Sequence, residues 1–308
     1  MIETKGLTKV FKNVVAVNHL DLKIEEGDTF GFIGPNGAGK TTTLRMLATL
    51  LRPTFGDATI RGLSITFQAE FVRPIIGFMP DFFGVYGDMR VDEYLEFFAA
   101  CYRIRESKRR RLIADILELT DLTVKQDSMV ESLSRGMKQR LALARVLIND
   151  PKVLLLDEPA SGLDPRARIE IRELLRELTR MGKTIFISSH ILSELEQLCN
   201  RIGIIEKGLL LYSGKMQDLM QKVQPKRTLE IELRDGADKA QELLQNHPQV
   251  LSVTLEDKRL QVELAEGTDD VGFVARDLAL KGFSLVSYRE KLPDLETVFM
   301  ALTKGIVA

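Results

Sequence analysis

The chain has little cysteine, no long apolar run and no excess of either charge. Its two cysteines, Cys101 and Cys199, stand far apart and without metal-ligand spacing. That excludes a disulfide scaffold and a zinc module, and reads as reduced thiols in the cytosol. No apolar stretch approaches the roughly 18 residues of a membrane span, and Met1-Ile2-Glu3-Thr4-Lys5 does not open a signal peptide. Any membrane role is expected to come through a partner. A net charge of −1 argues against a general nucleic-acid binder, because neutralising phosphates needs a basic excess. What is present, 44 % hydrophobic and 28 % charged residues in a chain of 308, suits an ordinary globular protein of about two domains.

The stretch with the strongest chemical signal is Gly34-Pro35-Asn36-Gly37-Ala38-Gly39-Lys40-Thr41-Thr42. It fills the phosphate-binding loop pattern G-x-x-x-x-G-K-[ST]. Glycines let successive backbone N–H groups face one concavity, an anion nest. Lys40 is then expected to reach the β- and γ-phosphates, and the Thr41 hydroxyl to ligate Mg²⁺. The flanks fit: Thr29–Ile33 reads as a short buried strand, and Thr42–Leu51 as a helix stopped before Pro53. Strand, loop and helix N-terminus together aim a positive dipole end at the phosphates.

Along the chain, Thr4 to Gly31 is strand-like, with turns at Lys12-Asn13 and at Glu25–Asp28, and Ala58-Thr59-Ile60 adds a short strand. These predict a small antiparallel sheet beside the loop. Phe11, just before the first turn, could stack on an adenine ring or belong to the core. A helical insertion is expected over about 88–149, with helices at Val91–Tyr102 and Leu112–Leu119. Within it Arg103, Arg105, Lys108, Arg109, Arg110 and Arg111 form a basic cluster, read as a solvated helix face, with lipid headgroup contact as the alternative. Ahead of it, Phe82, Phe83, Val85 and Tyr86 form an apolar cluster that could close a local core or receive a partner's helix. From Lys152, strand and helix alternate again: buried strands at Val153–Leu156 and Thr184–Ser188, helices at Arg166–Met181 and Ile191–Cys199, strands at Ile202–Ile205 and Leu209–Tyr212. Parallel strands with crossover helices predict an α/β doubly wound sheet with ligands at the strands' carboxyl ends. A break at Gln221–Pro225 separates a first domain, 1–220, from a second, 226–308. The second reads βαββαβ, a small ferredoxin-like α+β domain closed by a helix at Leu295–Thr303, and is expected to be regulatory or accessory.

Asp157 and Glu158 follow the apolar strand directly. An acid at the first place can hold Mg²⁺ through water, and one at the second can orient and deprotonate an attacking water. His190 ends the next buried strand, where a ring N–H could reach the γ-phosphate.

Together with Leu133-Ser134-Arg135-Gly136-Met137-Lys138-Gln139-Arg140, these pieces resemble the ATP-binding subunits of ABC transporters over Met1 to about Leu219. Gly34–Thr42 matches the first nucleotide motif, Leu154–Glu158 the second, and Ser161–Asp164 the D-loop. His190 matches the switch histidine, Phe11 the adenine-stacking aromatic, and Ser134–Gln139 the signature. The resemblance implies that Ser134 and Gly136 face the γ-phosphate held by a second chain, so that two ATP are sandwiched head to tail in a homodimer or in a heterodimer with another ATPase. The signature has Arg135 and Met137 where glycine and glutamine are usual. The place where a glutamine meets Mg²⁺ is taken by Asp81, shorter and charged, which puts Asp81 with Thr41 and Asp157 at the metal. These departures, Ala48–Thr54 and the end Leu295–Thr303 resemble the branch that works with ABC-2 type permeases, the exporters of drugs, antibiotics, lipids or polysaccharides. The implied protein is an ATPase using ATP and Mg²⁺, cytoplasmic, peripheral on the inner face of the membrane through its permease, with no nucleic acid partner. The rival is a soluble ABC ATPase acting on DNA or ribosomes; a single cassette with a short helical insertion counts against it.

Overall fold

The computed structural model describes the chain apart from residues 83, 85, 86, 224–226, 257, 258, 266, 269, 292–294, 296–298 and 300–308. It divides into two compact units, Met1–Met216 and Gln217–Ala308, a division a few residues ahead of the break expected at Gln221–Pro225. In chain order the first unit opens with β1 (Ile2–Phe11), β2 (Val14–Leu20), β3 (Lys23–Ile24), β4 (Thr29–Ile33), α1 (Lys40–Leu47), β5 (Phe55–Ile60), β6 (Leu63–Ser64), α2 (Ala69–Val72) and β7 (Ile76–Met79). It continues with α3 (Val91–Cys101), α4 (Glu106–Leu119), α5 (Arg135–Leu147), β8 (Val153–Asp157), α6 (Pro165–Arg180), β9 (Thr184–Ser189), α7 (Leu192–Leu198), β10 (Arg201–Glu206) and β11 (Leu209–Lys215). The helix α8 (Met216–Val223) begins at the division between the units.

Two sheets build this unit. One is antiparallel, in the order β2-β1-β5-β6 with β3 also paired to β1. The other runs β11-β10-β4-β9-β8-β7, parallel throughout except for β11 at its edge. Every residue of β4, β8 and β9 is buried, which is why these strands read as unbroken apolar runs rather than alternating ones. The phosphate loop leaves the carboxyl end of β4, and Asp157 and Ser189 close β8 and β9 beside it. Phe30, Phe32 and Phe186 lie fully buried, with the Phe186 ring 5.2 Å from Phe30 and 5.3 Å from Phe32. They belong to one continuous core with Ile2, Leu44, Leu47, Ile60 and Leu155, so the antiparallel sheet, the parallel sheet and α1 share a single interior.

Two helix ends differ from the sequence expectation. Helix α1 stops at Leu47 rather than Leu51 because Thr49 turns into the left-handed region at φ +60, and the amides of Leu50 and Leu51 fold back onto the Arg45 carbonyl. Helix α4 starts at Glu106 rather than Leu112, so most of the basic cluster is helical. Good helix formers such as Arg and Lys fill that first part, and apolar periodicity alone misses it. Phe82 is 89 % exposed and closes no local core; Phe83, Val85 and Tyr86 lie outside the described residues.

In the second unit, β12 (Thr228–Leu233), α9 (Ala237–Gln245), β13 (Val250–Glu256), β14 (Arg259–Leu264), α10 (Gly272–Leu280) and β15 (Leu285–Lys291) follow the βαββαβ order. They form an antiparallel sheet, β13-β14-β12-β15, the strand order of a ferredoxin-like fold. Leu229, Ile231 and Leu233 alternate with half-buried polar residues and join Leu244, Val262 and Val274 in a separate core. The expected turn at Asp257-Lys258 and nearly all of the expected closing helix lie outside the described residues.

Phe186 supports the strand that carries the site, so Phe186→Ala is expected to destabilise the first unit by about 3–5 kcal/mol. Urea unfolding followed by circular dichroism measures the loss.

Candidate functional site

The loop after β4 is shaped by its backbone. Gly37 sits at φ +80 and Gly39 at φ +110, both in the left-handed half of conformational space. At Gly39 a Cβ would also lie 2.5 Å from the Ala16 carbonyl oxygen, so no other residue fits that turn. Gly39 caps α1, and the Thr43 hydroxyl donates to the Gly39 carbonyl at 2.9 Å, tying the first turn to the loop. Lys40 is buried, and its Nζ donates to the carbonyls of Gly34 at 2.6 Å and Pro35 at 3.3 Å. A pocket of about 290 Å³ opens here; Gly37, Lys40, Thr41 and Thr42 line it on the loop side, and Asp81, Glu158, Ser161 and His190 on the other.

Strand β8 brings the acids. Asp157 is 1 % exposed, and one carboxyl oxygen, Oδ1, accepts from Ser188 Oγ at 2.6 Å. The other oxygen, Oδ2, is buried and has no hydrogen-bond partner among the described residues. Glu158 takes a left-handed backbone conformation at φ +52 and donates its N–H to Ser188, with both the carbonyl and the hydroxyl at 3.1 Å. That turn swings its side chain back over the loop. Glu158 Oε1 lies 3.4 Å from Lys40 Nζ, and Oε2 lies 2.6 Å from His190 Nδ1. Lysine, glutamate and histidine thus form one polar chain across three neighbouring strand ends.

Three residues expected at a nucleotide, Ser134, Gly136 and Phe11, do not line this pocket. Ser134 is exposed, caps α5 by accepting from the Met137 amide at 3.3 Å, and does not line the pocket. Gly136 packs against α6, where a Cβ would meet the Ala167 Cβ at 2.8 Å. Phe11 ends β1, is 44 % exposed and has Lys9 Nζ 5.1 Å from its ring centre; it lies outside the pocket lining. The unusual Arg135 reaches the D-loop, donating to the Ser161 carbonyl at 3.2 Å.

Sequence reasoning missed the residues that hold these groups in place. Ser188 braces both acids. A ladder of arginines on α6, spaced at i, i+4 and i+8, fastens α7 behind His190. Arg168 Nε donates to the Leu163 carbonyl of the D-loop at 2.9 Å and lies 3.4 Å from Glu194 Oε1. Arg172 Nη1 donates to the Gln197 side chain, and Arg176 Nη2 to the Gln197 carbonyl at 2.8 Å. Burial pushes the Glu194 carboxyl up despite Arg168. The i, i+4, i+8 spacing was the available signal, but surface arginines share it.

The donor set fits a hydrated divalent cation. Asp157 Oδ2 is an anchored, partnerless carboxylate oxygen beside a phosphate-binding loop. Among the described residues no group of three or more His, Cys, Asp and Glu could hold a metal alone. Phosphate and water oxygens must complete such a site, as is usual for Mg²⁺. Burial raises Asp81 above its ordinary 3.8, and the charges of Asp157 and Glu158 raise it further. The folded state therefore holds the Asp81 proton more tightly than the unfolded chain, so Asp81 adds less to stability as pH climbs from 3.8 through the raised value. Asp157→Asn is expected to lower the Asp81 titration midpoint without abolishing the shift, since burial remains; carboxyl carbon NMR reads it. Ser188→Ala, which strips Asp157 of its donor, is expected to cost about 1–3 kcal/mol in urea unfolding.

Residues 17–161 match the family model described as ABC transporter. The Nod factor export ATP-binding protein I of Burkholderia orbicola (strain AU 1054) is 36 % identical over 304 residues, covering 98 % of this chain and 96 % of that protein. Its counterpart from Rhizobium meliloti (strain 1021) is 35 % identical over 98 % of this chain and 88 % of its own length. Among solved structures, an ATP-binding subunit of an ABC transporter superposes with a TM-score of 0.65 at 26 % identity, covering 72 % of this chain and 92 % of that one. A dimeric ATP-binding cassette in a post-hydrolysis state with ADP and Pi gives 0.64 at 27 % identity, over 70 % of this chain and 99 % of its own. With the loop, Asp81, Glu158 and His190 converging on one pocket, and with likeness along nearly the whole length of such relatives, the chain belongs to the ABC transporter family as an ATP-binding subunit.

Proposed function

We propose that this chain powers export by hydrolysing ATP beneath a separate ABC-2 type membrane subunit, paired head to tail with a second ATP-binding chain. The observation that carries the reading is the polar chain Lys40–Glu158–His190 at the mouth of the phosphate loop. The export names of the full-length relatives support the direction of transport. Among the described residues no helix is long and apolar enough to cross a membrane, which fits a subunit held at the membrane's inner face by its permease.

In the proposed reaction the amides of Gly37–Thr42 and the Lys40 ammonium cradle the β- and γ-phosphates of ATP. Phe11 stacks on the adenine. Water attacks the γ-phosphorus, Glu158 accepts its proton, and the bond to the bridging oxygen breaks, leaving ADP and phosphate. Glu158 can serve as base because Lys40 shifts from the carboxylate to the phosphates as they enter. His190 holds the Glu158 side chain in line and offers its ring to the γ-phosphate. Thr41, Asp157 and Asp81 would hold Mg²⁺, which when bound would neutralise phosphate charge. Ser134 and the N-terminus of α5 serve the nucleotide of the opposite chain, which accounts for their distance from this chain's own pocket. Contact between Arg135 and the D-loop ties that signature to the residues nearest its own base. The second unit acts as an accessory domain.

Glu158→Gln keeps the side chain's shape and removes its basicity. Turnover of Mg·ATP is expected to fall at least about a hundredfold while ATP affinity stays within about threefold; a phosphate-release assay alongside nucleotide titration separates the two. ATP is expected to drive dimerisation of the Glu158→Gln chain, and adding Ser134→Arg to prevent it, because a cation at the start of α5 opposes the helix dipole and blocks the phosphate. Sedimentation velocity reads both. An ATP-dependent dimer that survives Ser134→Arg would overturn the head-to-tail arrangement.

A further inference from the structure

The segment Arg103–Arg111 takes no part in the nucleotide pocket. It holds six basic residues and one acidic residue, Glu106, in a chain whose net charge is −1. Its position is the turn where α3 ends and α4 begins, two helices that pack on one another. Arg109 is used internally: Nε donates to the Ile104 carbonyl at 2.6 Å and Nη1 pairs with Glu96 at 2.8 Å. The other five, Arg103, Arg105, Lys108, Arg110 and Arg111, are exposed, and among the described residues none of them forms an ion pair. Arg105, Lys108 and Arg111 recur every third residue, so they share one side of the start of α4. The helix itself does not favour them there, because the dipole at that end is already positive.

Apolar groups share this tip. Phe97 is 40 % and Tyr102 47 % exposed, and Ala100 and Cys101 between them are exposed as well. Aromatic rings beside a cluster of unpaired cations are the composition of a surface that rests in lipid headgroups, the rings at the acyl boundary and the cations among the phosphates. A purely solvated face would have no reason to leave Phe97 and Tyr102 in water next to five like charges. The charge is also local, since the rest of the chain is net acidic and would repel the same membrane, which fixes the orientation.

We infer that the tip of the α3–α4 hairpin lies against the anionic headgroups of the membrane that holds the partner subunit, so that the ATP-binding subunit touches lipid as well as protein. This rests on the reading of the chain as a transporter subunit. The test uses the purified full chain without any permease. It is sedimented with vesicles of phosphatidylcholine alone, or with about one third phosphatidylglycerol. Binding is expected to rise about tenfold with the anionic lipid and to fall as salt is raised. The variant Arg103→Glu, Arg105→Glu, Lys108→Glu, Arg111→Glu is expected to lose that binding while its melting temperature and basal ATPase rate stay those of the wild type. Equal binding to both vesicles, or undiminished binding by the variant, would overturn the inference. So would binding of a duplex oligonucleotide through these residues when vesicles are ignored. A wild-type chain that bound anionic vesicles but turned over no ATP would support this surface and count against the hydrolytic reading instead.

Discussion

Strand β9 lies between β4 and β8, and the parallel register on its two sides is the constraint on which the pocket depends. Ser188 is the register partner of Phe32 on one side and of Asp157 on the other. Because β4 is thereby held level with β8, the phosphate loop and the two acids leave the sheet at the same height. The Ser188 hydroxyl adds a second fastening, donating to Asp157 and accepting from the Glu158 amide. A one-residue slip of β9 would turn Ser188 away from the acids and bring Ile187 or Ser189 opposite Asp157 instead. The buried rings of Phe30, Phe32 and Phe186 pack on one another in this register, contacts that a slip would disrupt.

Charge is arranged around this frame with similar economy. Lys40 is buried yet never isolated: two carbonyls and the Glu158 carboxylate surround its ammonium. His190 shares the other oxygen of the same carboxylate. The arrangement keeps a buried cation and a largely buried carboxylate together, where each alone would be costly, with the exposed imidazole at their outer side. In the proposed reaction, a phosphate group competing for Lys40 would free Glu158 for a proton. The arginine ladder on α6 extends the same logic outward, linking the D-loop carbonyl, Glu194 and the short helix behind the histidine.

Much of this was legible in the residues. The unbroken apolar runs of β4, β8 and β9 marked buried parallel strands, and their carboxyl ends located Lys40, Asp157, Glu158 and His190 in one place. The alternation of Leu229, Ile231 and Leu233 marked the sheet of the second unit. What was not legible depends on contacts between distant elements. Ser188 looked like any polar residue closing a strand, and its meaning comes only from β8 lying next to it. Arg168, Arg172 and Arg176 gain their meaning only from α7 packing beside them. The early end of α1 is set by one left-handed residue, Thr49, of a type that seldom adopts that conformation and so gives no warning. The beginning of α4 was hidden for the opposite reason, since a run of cations carries helix propensity without an apolar stripe.

Glu158 carries a burden that its neighbours do not. Its φ of +52 belongs to a region that glycine and asparagine enter readily and glutamate does not. Holding it there costs about 1 kcal/mol or more, which the surrounding register must offset. In a lineage where turnover stopped mattering, mutational drift would find relief at this position first. A glycine or asparagine there would settle the backbone while removing the carboxylate proposed to accept the proton. Silent, non-hydrolysing cassettes should therefore be more robust to heat than their active siblings, and the residue after the strand-closing aspartate is where that history would be written.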